Sequence, residues 1–372
     1  MTNNRKIKIV IVFIFVFILG TTFLSTKSWA QEQSISVIST RGHFDLNSGN
    51  LTSNHNATDY NTINISKCSP EIVIFVHGWN TNEGNASEQF NRTLLSLKAN
   101  GFNNTLIGYS WDSNTASPKD LNWKAWINAK TIATENGPKL AHFIIDYMNN
   151  CKKESRDIRL IGHSLGARVV LSTLESLYEN DTWNKNNYKI SSVHLLGAAV
   201  DNEEISKDKN NITKDITNIL YNKTTPYGLA IEKEVTDFFN LYNPEDNYLE
   251  PGFYQIYPSY EFGDMALGQS GYQTMPFSIA PSLPKNYAEI NVKNEILPIC
   301  DADGDKKPDT PFRYGSEIST GDNHHGYMGY RNSTDKSKLI DDGAVNIIVD
   351  NWKHIPPKID QNAEETAVCN LN

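Results

Sequence analysis

The segment Gly162-His163-Ser164-Leu165-Gly166 holds the residues best placed to do chemistry. A serine hydroxyl attacks a carbonyl only when a neighbouring base takes its proton and the backbone presents it to solvent. The apolar run 158–161 before the pentapeptide reads as a buried strand, and 165–178 after it carries a helical pattern. A turn joining strand to helix so abruptly holds its serine at a strained backbone angle, and flanking glycines remove side chains that would collide there. The Leu165 N–H opens the helix and points at any negative charge that develops beside the serine. A chance Gly-x-Ser-x-Gly in a loop is the bland reading, and the strand before it and the helix after it weigh against that.

The elements that must position this serine can be read along the chain. Continuous apolar runs predict buried strands at 71–76, 105–110, 158–161, 190–196 and 235–241. Helical spacing predicts helices near 86–98, 123–148 and 165–178, with a final packing helix at 343–352. Strands alternating with helices argue an α/β fold, a mostly parallel central sheet covered on both faces. Residues 250–320 break the rhythm, being rich in Tyr, Pro, Gly and Asp, and are expected as an irregular insertion over the sheet's top edge. Residues 31–67 are polar and Asn-rich, and the alternation at 34–39 could add an edge strand. No repeat or linker divides the rest, so 68–372 reads as one domain.

The ordered set Phe75-Val-His77-Gly78-Trp79, Gly108-Tyr-Ser-Trp111, Trp126 through Leu140-Ala141, and Gly162-His-Ser-Leu-Gly-Ala167 resembles lipase- and esterase-type α/β hydrolases. It is similar in particular to their pancreatic-lipase-like branch and to exported archaeal hydrolases of unassigned substrate. The likeness runs from about residue 71 to 201. It implies the α/β-hydrolase fold, a serine, acid and histidine in that chain order, and hydrolysis of carboxylic esters. It also implies that the loop after strand 71–76 supplies a second backbone N–H for an oxyanion. Trp79 is the first choice, with Asn80 and Gly78 as alternatives, beside the N–H of Leu165.

The resemblance places the acid after a later strand and the base near the end of the sheet. Asp246, in the turn Asn-Pro-Glu-Asp-Asn-Tyr-Leu after strand 235–241, is preferred to Asp201, which follows strand 190–196. Glu245 is a remoter candidate. Among the histidines, His43 and His55 lie in the polar N-terminal region, and His77 and His163 belong to motifs already read. His142 falls on a helix, His194 in a strand and His354 after the last helix. The pair His324-His325 remains, in Gly321-Asp-Asn-His-His-Gly-Tyr-Met, and the His-x-Gly-Tyr spacing favours His324. The expected set is Ser164, Asp246 and His324. Two rival functions stay open: amide or peptide hydrolysis on the same scaffold, and a non-catalytic cell-surface module that kept the fold.

Asp301, Asp303, Asp305 and Asp309 form an alternating acidic loop that resembles thrombospondin type 3 calcium loops, although Lys306 stands where that pattern often has glycine. A structural Ca2+ and a merely solvated loop both remain open, and no cofactor is expected for catalysis. The aromatics Phe253, Tyr254, Tyr257, Tyr260 and Phe262 suit a lid or acyl pocket, or a small core of the insertion itself.

Arg5, Lys6 and Lys8, an apolar run from Ile9 and the small residues of Ser28-Trp29-Ala30 read as a secretory signal over 1–30. An uncleaved anchor is the alternative, and either places the rest outside the cytoplasm. Four cysteines without a CxxC pair favour two disulfides there, Cys68–Cys151 and Cys300–Cys369. Sequons at Asn50, Asn56, Asn64, Asn85 and Asn91 fit export. The net charge of −9 becomes −13 without Arg5, Lys6, Lys8 and Lys27, which disfavours nucleic acid as a partner. The expected partner is a small-molecule or lipid ester substrate, with association to a membrane surface left open.

Overall fold

Successive residues of the run Glu71–Val76 face opposite ways. Ile72, Ile74 and Val76 enter one apolar cluster, and Val73 and Phe75 enter another. A strand with two apolar faces is stable only between two layers of cover. The computed structural model describes residues 35–65, 68–115, 123–151, 156–207, 226–246, 248–249, 265–272, 282–296, 324–331 and 337–356. They contain β1 (Ser36–Ser39), β2 (Asn61–Ile63), β3 (Glu71–Val76), α1 (Glu83–Ala99), β4 (Thr105–Ser110), α2 (Trp123–Asn150), β5 (Asp157–His163) and α3 (Gly166–Tyr178). Next come α4 (Asp181–Lys185), β6 (Ile190–Leu196), α5 (Gly228–Glu234), β7 (Val235–Tyr242), α6 (Leu267–Ser270), β8 (Tyr287–Asn291), β9 (Tyr330–Arg331), β10 (Leu339–Asp341) and α7 (Val345–Trp352).

Eight strands form one sheet in the order β2-β1-β4-β3-β5-β6-β7-β8. Every neighbouring pair is parallel except β1 with β2. On one face lie α2, α3 and α5, whose Trp126, Ile132, Leu140, Val170, Leu174 and Ile231 meet Ile74 and Leu160. On the other face α1 and α7 bring Phe90, Leu97, Ile347 and Ile348 against Phe75 and Ile161. This is the expected α/β-hydrolase architecture.

Two expectations need revision. The alternating segment near residue 36 is a strand but not an edge strand, because β2 pairs outside it through Val37 and Ile63. It therefore joins the body of the sheet rather than preceding it. The stretch 250–320 is not wholly an insertion, since 287–291 forms β8 and extends the sheet beside β7. That strand is mostly exposed, so it lacks the apolar run by which buried strands are recognised. Cys68 and Cys151 are disulfide-bonded, tying the approach to β3 to the end of α2. Residues 1–34, the Cys300–Cys369 pair, the acidic loop 301–309 and the aromatics at 253–262 lie outside the described residues. No helix among the described residues is long and apolar enough to cross a membrane.

Candidate active site

The backbone dictates where Ser164 points. Its φ is +53°, a left-handed value that a non-glycine residue holds only when its surroundings enforce it. The Ser164 N–H donates to Leu196 O at 2.9 Å, and Ser164 O accepts from Ala167 N and Ala199 N. The end of β6 and the loop after it therefore clamp the turn between β5 and α3. Gly166 is forced by contact: a Cβ there would lie 2.4 Å from Val76 O and 2.6 Å from His77 O. A Cβ on Gly78 would stand 2.7 Å from that of Ser164, so the loop after β3 comes directly up to the serine.

His324 and Asp246 complete a hydrogen-bonded chain. His324 Nε2 accepts from Ser164 Oγ at 2.9 Å, and its Nδ1–H donates to Asp246 Oδ1 and Oδ2 at 2.9 and 2.8 Å. All three residues are buried. The Asp246 carboxylate is held by its own turn, since Oδ1 accepts from Tyr248 N at 3.1 Å and Leu249 N at 3.3 Å. Tyr327 OH reaches Oδ2 at 3.4 Å, and burial next to this carboxylate pushes the Tyr327 phenol well up, so it stays a donor. The Tyr248 ring stacks on His324 at 4.9 Å.

His163 has a supporting place. Burial holds it well below the usual histidine range, so it is neutral, and its Nε2–H donates to His324 O at 2.8 Å. The residue preceding the serine thus fastens the loop that carries the histidine.

The two expected backbone donors flank the serine. The N–H groups of Leu165 and Trp79 have no hydrogen-bond partner among the described residues. Asn80 is set aside, because its N–H donates to Ser113 O at 2.8 Å. The Trp79 ring is fixed by Thr115 Oγ1 at 2.8 Å and an edge contact with Trp126. Beneath this loop lies a residue that sequence reading missed. Arg41 Nη2 donates to Thr81 O at 2.8 Å and to His77 Nε2 at 3.0 Å, while its Nε donates to Ser110 Oγ. His77 can accept because burial keeps it neutral and its Nδ1–H donates to Gly78 O. Only the alternation at 34–39 hinted that this segment joins the sheet.

Of the rival acids, Asp201 also follows a strand at the same edge and is buried, but no hydrogen bond connects it to His324. It lies close enough to Glu204 to help burial raise that acid to about 8, and Glu204 in turn pairs with Arg168 at 3.0 Å. Glu245 pairs with Lys293. His325 lies beside His163 and Tyr248 but does not reach Ser164. Such an arrangement can deprotonate a hydroxyl and stabilise the charge that its attack creates.

Residues 53–235 match a family model described as "Alpha/beta hydrolase of unknown function (DUF900)". No curated protein sequence matches the chain. Among solved structures, the Trichoderma reesei cutinase in complex with a C11Y4 phosphonate inhibitor is similar at 22% identity, covering 36% of this chain, with a TM-score of 0.24. The chain spans about half (53%) of that cutinase. The catalytic core domain of acetyl xylan esterase from Trichoderma reesei is similar at 11% identity, with coverage of 47% of this chain and 84% of that one, and a TM-score of 0.28. The family match covers the stretch from the N-terminal loops through β6, and the strand order and both helical layers agree with it. The sheet, its two helical layers and the family match over residues 53–235 agree on an α/β-hydrolase fold for this chain.

Proposed function

We propose that the protein is a serine hydrolase that cleaves carboxylic esters through a covalent intermediate on Ser164. The observation that carries this reading is the unbroken hydrogen-bond chain from Ser164 Oγ through His324 to Asp246, with the serine held at φ +53°. The Ser164 hydroxyl attacks the ester carbonyl while His324 Nε2 takes its proton. Asp246 fixes the ring and stabilises its charged form. The new oxyanion is received by the N–H groups of Leu165 and Trp79. Collapse breaks the bond to the alkoxy oxygen, to which His324 returns the proton. Water, activated by the same histidine, then attacks the acyl group and frees the carboxylic acid and Ser164.

The N-terminal charge-and-apolar pattern and the Cys68–Cys151 bond support an exported enzyme. The test is labelling with a fluorophosphonate. Ser164 should be modified in intact protein, and Ser164→Ala should resist the probe and lose about 10^6-fold in ester turnover. An intact protein that never takes up the probe would sink the reading. Comparing nitrophenyl esters of short and long acyl chains, with and without a lipid interface, then separates an esterase from a lipase.

A further inference from the structure

A second cluster of ligating groups lies far along the chain from Ser164, in the loop between β1 and β2. His43, His55 and Asp59 each bring one ligating atom within 4.8 Å of the others. Asp59 is the hub. Its Oδ2 is 2.6 Å from His55 Nδ1, and its Oδ1 is 3.4 Å from His43 Nδ1. The two imidazoles stack face to face, with centroids 3.6 Å apart and planes 15° from parallel. Both rings therefore turn the same edge toward one carboxylate.

Hydrogen bonding alone leaves this cluster unfinished. His43 is 1% exposed, and its buried Nδ1 has no hydrogen-bond partner. An orphaned buried polar atom is costly, so it calls for an explanation. We propose that His43 Nδ1, His55 Nδ1 and Asp59 Oδ2 bind a divalent transition-metal ion of the Zn2+ type, with water completing the shell. Two imidazoles and one carboxylate are a donor set for Zn2+, whereas Ca2+ takes oxygen ligands. Ligands at zinc distances around a tetrahedral ion stand about 3.4 Å apart. His43 Nδ1 has this spacing from the neighbouring oxygen Asp59 Oδ1, and the partly exposed His55 needs to withdraw from Oδ2 by less than an ångström.

The neighbours fit a second shell. Asn61 Nδ2 lies 3.3 Å from His43 Nε2; with Nδ1 on the metal that nitrogen carries the ring proton, so the Asn61 amide must turn its oxygen there to accept it and fix the ring. Lys139 is fully buried and holds the other carboxylate oxygen, Asp59 Oδ1, at 2.5 Å, and it also donates to Asn56 O. Its charge opposes a cation, so the site is weaker than a zinc-finger site and exchanges its metal readily. The ion would fasten the loop 43–59 to α2 through Lys139. His43 is also two residues from Arg41, so the same clamp steadies the anchor of the Trp79 loop. The proposal stands whether or not Ser164 is catalytic.

The test uses the full chain freed of metal with a chelator, then titrated with Zn2+ in a calcium-containing buffer. Bound metal is counted by elemental analysis and stability is read as Tm. Wild type should bind at saturation one more equivalent than His55→Ala, and its Tm should rise by about 3–6 °C. His55→Ala should lose that rise while its metal-free Tm stays within about 2 °C of wild type; His55→Gln serves if the alanine variant does not fold. Asp59→Asn should behave likewise toward the metal. A wild type that binds no Zn2+, or variants with undiminished stoichiometry and Tm shift, would overturn the assignment.

Discussion

The two halves of the Ser164 site are built by different means. Ser164, Leu165 and the Gly78-Trp79 loop belong to the stretch from β3 to α3, where parallel strands and a close glycine contact fix the backbone. Asp246 and His324 sit in short turns, 78 residues apart from each other, and His324 meets Ser164 across 160. They are held by side-chain and turn contacts from Tyr248, Leu249, Tyr327 and His163. Backbone geometry sets the proposed nucleophile, and hydrogen bonding sets its proposed partners. Damage to the first half should therefore harm fold and chemistry together, and damage to the second should harm chemistry alone.

The sharpest test is His324→Ala. Steady-state ester turnover should fall by about 10^5–10^6-fold, because the serine loses the base that takes its proton. Tm should move by less than about 3 °C, since the ring removed is one small contact at the edge of the core. A large drop in Tm would break the distinction between the halves.

Next in size is a matched pair in the second half. Asp246→Asn should lower kcat by about 10^4-fold, as an amide no longer holds the productive tautomer of His324. Asp201→Asn should cost less than about tenfold per folded molecule, because Asp201 lies with Glu204 and Arg168 rather than His324. A reversal of the two would return the acid to the strand after which Asp201 sits.

The same division explains what could be read in advance. Ser164, Leu165 and Trp79 lie in contiguous strand–turn–helix or strand–loop segments, whose local pattern carries the geometry. The bounds of β3, β4 and β6 are legible in the sequence because two apolar faces leave an unbroken run. Asp246 and Asp201 were harder to separate. Both follow parallel strands that are neighbours in the sheet, and only the depth and aim of each turn distinguishes them. β8 escaped notice since its exposed face carries polar residues. Arg41 is hidden because a lone arginine in an Asn-rich segment has no periodicity to betray its contact with His77. In the sequence Tyr327 is visible only as part of the His-x-Gly-Tyr spacing, yet its hydroxyl reaches the Asp246 carboxylate.

A substitution in the first half carries the opposite expectation. In Gly166→Ala the new methyl would meet the carbonyl oxygens of Val76 and His77 at 2.4 and 2.6 Å. Both belong to backbone that cannot swing aside without loosening β3. The expected loss is about 3 kcal/mol in urea unfolding, with activity falling too because the Trp79 loop is displaced. If stability is unchanged while activity vanishes, the nucleophile turn is less rigidly built than the contacts indicate.

The smallest effect concerns pH. Between the two halves, β6 carries His194, which stacks on Phe239 at 4.8 Å and is buried. Burial, aided by the Arg159 charge, pushes it from 6.5 down to about 3. The folded state thus excludes a proton that the unfolded state binds in this range. Its contribution to stability is complete above pH 6.5 and is lost progressively as pH falls toward 3, at up to about 1.4 kcal/mol per pH unit. His77 and His163 are depressed in the same direction by burial, so they steepen the acid side of the profile as well. His194→Phe keeps the aromatic stack and removes one titrating group, while the Asn351 amide that approached the imidazole turns to water. Urea midpoints measured from pH 7.5 to 4.5 should then fall less steeply in the variant, by about one proton's slope. Parallel profiles would mean that His194 takes up its proton without unfolding the sheet, and that the region between the halves yields more easily than either.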